Sequence, residues 1–171
     1  MRWNSSGISF SRPIRWIVAL FGSQVIPFEY AGVTSGNITR GSRATGSPEI
    51  VVASANEYQT LLDRQQIEFQ QVRRHTMIRN QIDELLKNKD AIVLLEPDLD
   101  AEVTNLVEQP TALLGHFEEK YLKLPEDVLI TVMKKHQRYF PVEKSTSGLL
   151  PNFITIRNGD NQHLDIVRHG N

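Results

Sequence analysis

Along the chain, short stretches dense in branched and aromatic residues alternate with stretches in which apolar residues recur every three or four positions. The first kind predicts strands and the second predicts helices. Arg15–Phe21 and Val25–Tyr30 have the strand composition and are linked by Gly22-Ser23. That link predicts a hairpin. Pro27 has no amide proton, so the second strand is expected at an edge or at a bulge. Residues 31–49 hold four glycines, two arginines and many hydroxyl side chains, and read as a long loop. A short strand is expected at 49–53. A helix is expected from Ser54, with Ser54 as its cap and Glu57 completing a capping box.

The second half has the stronger helical period. Val72, His75, Ile78, Ile82 and Leu85 make one stripe of a helix predicted over 70–88. "AIVLLEP" follows as a predicted buried strand, and "DLDAEVTNLVEQP" as a short helix begun by Asp98 or Asp100. "TALLGHFEEKYLKL" supplies a strand and a turn. Pro125, Glu126 and Asp127 are suited to a helix start, where proline lacks no needed donor and acids meet the positive end of the dipole. This helix is expected to end near His136 with Val128, Leu129, Val132, Met133 and His136 inward. "RYFPV" and "NFITIRN" are predicted strands, with Phe140 buried and Tyr139 and Arg138 nearer the surface. The tail from about 163 is expected to begin another helix. Trp16, Val72, Ile82, Val128, Val132 and Met133 are the expected core. Interleaved strands and helices with at least one hairpin predict an α+β domain with a mixed β-sheet and packed helices, rather than a βαβ array.

Composition narrows the chemistry. The 171 residues suit one domain and a proper core. The formal net charge of −1 gives no global basic field, so any anion binding must be local. Cysteine is absent, which removes disulfides, thiol catalysis and cysteine-ligated zinc. The first residues lack the apolar stretch of a signal peptide, and no apolar run has membrane-spanning length.

Phosphate-cradling glycine motifs are absent, and the serines sit in no nucleophile-elbow pattern. The five histidines show no metal spacing; His75 and His136 read as core or boundary residues on helix stripes. Asp98 and Asp100 read as a solvated helix start. Three basic groups remain: Arg40 and Arg43 in the predicted loop, Arg73 and Arg74 on the long helix, and Lys134, Lys135 and Arg138 beside Tyr139. Each is either a solvated face or an RNA-binding surface, since arginine beside an exposed aromatic suits phosphate and base alike.

Five segments carry a resemblance: "FSRPIRWIVALFG", "VIPFEYAGVTSGNITRG", "NLVEQP", "LPEDVLITVMKKHQRYFPV" and "LLPNFITIRNG". In this order they resemble the β subunit of the bacterial and organellar α/β-type glycyl-tRNA synthetase, with "MKKHQRYFPV" and "LLPNFI" the most specific. After "TRG" that family usually has histidine and then Arg-Phe, where this chain has Ser42, Arg43 and Ala44. The family's β subunit is several times longer, so the resemblance implies one internal domain over 1–171, followed by a helical HD-like domain. It implies a fold similar to the editing-type domain of the phenylalanyl enzyme's β subunit. It also implies a non-catalytic part of glycine–tRNA ligase, with tRNA(Gly), the α subunit and other β-subunit domains as partners and no membrane. ATP and Mg²⁺ would be bound by the α subunit, and no cofactor by this domain. The compartment would be the bacterial cytoplasm, or a plastid or mitochondrion in a plant. Two rival readings are an editing hydrolase of mischarged tRNA and a purely structural spacer.

Overall fold

The computed structural model describes residues 4–10, 13–42, 46–93, 96–146 and 148–159. The chain is α+β and divides into two compact units, Met1–Ile67 and Glu68–Asn171.

The first unit is built from very short strands. β1 (Ile17–Val18) pairs in parallel with β5 (Val33–Gly36), whose other edge pairs antiparallel with β4 (Glu29–Tyr30), so this sheet is mixed. β2 (Leu20–Phe21) and β3 (Gln24–Val25) form the expected hairpin across Gly22-Ser23, in a shortened form. Pro27 is where the second predicted strand breaks. The Ser35 hydroxyl fills the gap, donating to the Ile26 carbonyl at 2.7 Å and accepting from the Phe28 amide at 2.9 Å.

The predicted long loop instead contains paired strands. Ala31 and Gly32 both have positive φ, 58° and 77°, which matches the twist of a two-residue hairpin link between β4 and β5. Branched Val33, Thr34, Ile38 and Thr39 then extend the chain, and β6 (Ile38–Arg40) pairs with β7 (Glu49–Val51). Glycine and hydroxyl content marked the turns and masked the strands between them. α1 (Tyr58–Arg64) is entered through a 3-10 turn at Ala55–Glu57, so Ser54 makes no side-chain cap and the expected capping box does not form. Trp16 is exposed rather than core, with the Arg15 and Arg40 guanidinium groups 6.0 and 5.9 Å from its ring.

The second unit packs helices on an antiparallel sheet of order β8 (Pro110–His116), β10 (Leu149–Asn158), β9 (Phe140–Glu143). α2 (Gln71–Leu86) places Ile78, Ile82 and Leu86 at i, i+4 and i+8 into the core. α3 (Pro97–Leu106) adds Leu99 and Val103, and the sheet adds Phe140, Val142 and Ile154. Val72 is 77% exposed: it belongs to the first turn of α2, on a face next to the core row. The described residues of "AIVLLEP" form no strand, although Ala91 and Val93 pack half-buried against the core. Ile92 is exposed and makes a single bridge to Glu143, and Leu94 and Leu95 lie outside the described residues. On the outer edge of β8 the Gln81 side chain donates to the Pro110 carbonyl at 3.0 Å and accepts from the Ala112 amide at 2.9 Å.

α4 (Glu126–Thr131) runs into a π-helical turn, Val132–Gln137. The helical path therefore ends where expected, but its face is different. Met133 is buried, Leu129 and Ile130 are half-buried, and Val128, Val132 and His136 are exposed. Apolar residues occupy five of the six positions 128–133, so a stripe could be drawn on either face. Packing took the one through Met133. Arg138, at φ 55°, turns the chain into β9. Phe140 is fully buried as expected, and Tyr139 is half-buried. The tail expected to begin a helix from about 163 lies outside the described residues.

Candidate RNA-facing surfaces and a histidine–aspartate cleft

The basic residues singled out by the sequence fall into separate places. Arg40 sits on β6 and pairs with Glu49, its cross-strand neighbour on β7. Arg43 lies outside the described residues. On α2, Arg73 is 3.8 Å from Glu68, while Arg74 is tied to backbone, its Nε donating to the Thr104 carbonyl and a terminal nitrogen to the Glu68 carbonyl. Arg74 is thus a fastener between α3 and the residues before α2.

Lys134, Lys135, Arg138 and Tyr139 are brought together by the π turn. Lys134 Nζ is 2.6 Å from Glu96, the residue that precedes α3, and its side chain is only 17% exposed. Arg138 Nε donates to Glu102 on α3 at 2.9 Å, and a second nitrogen donates to the Lys135 carbonyl at 3.3 Å. Lys135 is exposed. The Tyr139 ring stacks on Phe153, with centroids 4.4 Å apart and planes 8° apart. The segment thus presents one open lysine, a half-exposed arginine paired with Glu102, and a tyrosine with one ring face engaged on a neighbour.

A different constellation was not assembled from the sequence. α2 and α3 flank a cleft of about 420 Å³ lined by Gln71, Val72, His75 and Arg79 from one helix and Pro97, Asp100, Ala101 and Thr104 from the other. Asp100, expected as a solvated helix start, is 5% exposed. His75 Nε2 lies 2.7 Å from Asp100 Oδ2, and Arg79 Nε lies 3.6 Å from the same oxygen. A carboxylate only accepts, so the ring proton of that bond is on Nε2, and Nδ1 is the nitrogen left for another partner. Asp100 Oδ1 and Thr104 Oγ1 are both buried without a hydrogen-bond partner among the described residues. His75 matches the expectation of a satisfied boundary histidine. Its partner lies 25 residues away on another helix, and no local pattern in the sequence marks that pairing. Among the described residues no group of three or more His, Asp and Glu is placed to hold a metal ion. No helix there is long and apolar enough to cross a membrane.

Comparison with known proteins covers the whole chain. The profile of the family described as glycyl-tRNA synthetase beta subunit matches residues 1–171. Curated relatives named glycine–tRNA ligase beta subunit are 46% identical in Halalkalibacterium halodurans, 47% in Moorella thermoacetica and 47% in Clostridioides difficile, each across all 171 residues. The chain spans about a quarter of the length of these relatives, 24% of the first and 25% of the other two. With its entire length matched by the profile, the chain belongs to the glycyl-tRNA synthetase beta subunit family.

Proposed function

We propose that this chain is a non-catalytic portion of a glycine–tRNA ligase β subunit that supports recognition of tRNA(Gly) or the architecture around it. The observation that carries the reading is the family match over every residue of the chain. The parent enzyme joins glycine to tRNA(Gly). ATP and Mg²⁺ are bound by the α subunit, and the remaining β-subunit domains, with a helical HD-like domain following this one, complete the tRNA-binding surface. The fold is similar to an editing-type domain. The compartment is the bacterial cytoplasm or a plant organelle.

The proposed RNA-facing residues are Arg40, Arg43, Arg73, Arg74, Lys134, Lys135, Arg138 and Tyr139. The strongest support is around the π turn. There Lys135 is exposed and the Arg138 guanidinium, half exposed beside it, offers charge-assisted donors to a phosphate. Contacts of this kind set the position of an RNA backbone and carry little sequence information. Photo-crosslinking of tRNA(Gly) to the assembled full-length α/β enzyme tests the reading. Adducts within 1–171 are expected, and their complete absence overturns a direct role in recognition.

A further inference from the structure

The cleft between α2 and α3 contains more polar machinery than joining two helices requires. Ile78, Ile82, Leu99 and Val103 already bury apolar surface from both helices in the core. A buried carboxylate with one oxygen unpaired is a poor extra fastener, since apolar residues of similar volume hold such a junction as well or better. Convergent polar groups in a cleft are candidates for a binding site. His75 and Arg79 stand one turn apart on the same helix face, which puts their Cβ atoms about 5–6 Å apart. Asp100 Oδ2 faces both and aims them from behind. Their side chains remain 43% and 42% exposed, while that of Asp100 is 7% exposed. The two donors therefore form the lip of the cleft and the carboxylate its floor.

We propose that this cleft grips one phosphodiester of the RNA backbone, with His75 and Arg79 as the contacting groups and Asp100 as the residue that positions them. This deepens the reading of the chain as an RNA-supporting part of the ligase and rests on it. The geometry fits: the His75 ring meets Asp100 through Nε2 and Arg79 Nε lies 3.6 Å from the same carboxylate oxygen, which leaves Nδ1 and the rest of the guanidinium on the exposed lip. Val72, Pro97 and Ala101 supply an apolar wall, which suits the face of a ribose and no particular base. Val72, the most exposed apolar side chain of α2, gains a reason for its place at the rim.

The test uses the assembled full-length enzyme. Fluorescence anisotropy would follow tRNA(Gly) affinity against KCl concentration for His75→Gln, Arg79→Gln, the double variant and Asp100→Asn. The double variant should bind about three- to tenfold more weakly near physiological salt, with the log–log salt slope reduced by about one. Asp100→Asn should weaken binding in the same direction by disordering the two donors. Should that buried change unfold the protein, Arg79→Gln on the exposed lip carries the test, with circular dichroism reporting the fold. Histidine-directed modification of His75, read by peptide mass spectrometry, should be blocked by tRNA(Gly). An unchanged slope in the double variant overturns the proposal even when crosslinks elsewhere in 1–171 uphold an RNA role. Protection of His75 by inorganic phosphate but not by tRNA also overturns it, identifying a small-anion site. Loss of mischarged-tRNA deacylation in His75→Gln with binding intact overturns it in favour of hydrolysis.

Discussion

Arg138 Nε lies 2.9 Å from Glu102 Oε1, so the guanidinium that enters β9 is anchored to α3. Lys134 is held in the same way by Glu96. Arg138 and Glu102 are both well exposed, and Glu96 is exposed although Lys134 is largely covered, so each pair is expected to contribute about 0–1 kcal/mol. Glu96→Gln with Glu102→Gln should therefore leave the urea midpoint nearly unchanged. It also removes two negative charges from beside three cations. If this surface meets RNA, the tRNA KM of the full enzyme should fall at low salt, and steady-state aminoacylation would measure it.

Removing the cations is the converse. Lys134→Ala, Lys135→Ala and Arg138→Ala together should raise the tRNA KM and flatten its salt dependence. On the proposed ligase reading, glycine-dependent ATP–pyrophosphate exchange should be untouched. An unchanged KM and salt slope, with the fold intact, would assign this segment to helix termination alone.

Phe140 and Ile154 face each other across β9 and β10, and neither is exposed. Phe140→Ala should destabilise the unit Glu68–Asn171 by about 3–5 kcal/mol, from lost transfer energy and the cavity left behind. Denaturant unfolding followed by circular dichroism checks it.

Phe140 and Ile82 were legible in the sequence because each follows an unambiguous period, alternate residues in a strand or every fourth in a helix. Val128 and Val132 were not, because apolar residues crowd most of the helix circumference and the π turn then departs from the ordinary 3.6-residue repeat. Only packing chose the Met133 face. Val72 and Trp16 show the same limit: an apolar residue can occupy a cleft rim or lie among guanidinium groups as readily as a core. Arg138 and Lys134 could be named from sequence, but not their carboxylate partners, which lie 36 and 38 residues away on or beside α3. The His75–Asp100 pair was hidden for the same reason.

Gly115 is opposite Phe153 in the β8–β10 pair, and a β carbon there would overlap the Phe153 ring. The ring lies over the glycine and is itself covered by Tyr139. Gly115→Ala should displace it, at a cost of about 1–3 kcal/mol. Loss of near-ultraviolet dichroism from the Tyr139–Phe153 stack would report the displacement, with the far-ultraviolet spectrum retained.

Gln81 has a consequence for how this protein behaves among other copies of itself. A three-stranded sheet has two open margins, and unpaired backbone there is a template onto which another chain can add. In the unit Glu68–Asn171 the outer margin of β8 meets the Gln81 amide at Pro110 and Ala112, and the outer margin of β9 is met at Glu143 by the Ile92 backbone. One side chain and one stray residue thus stand in for the strands that are missing. They leave the folded sheet saturated at these positions, so that a strand from another folded copy must displace them before it can add.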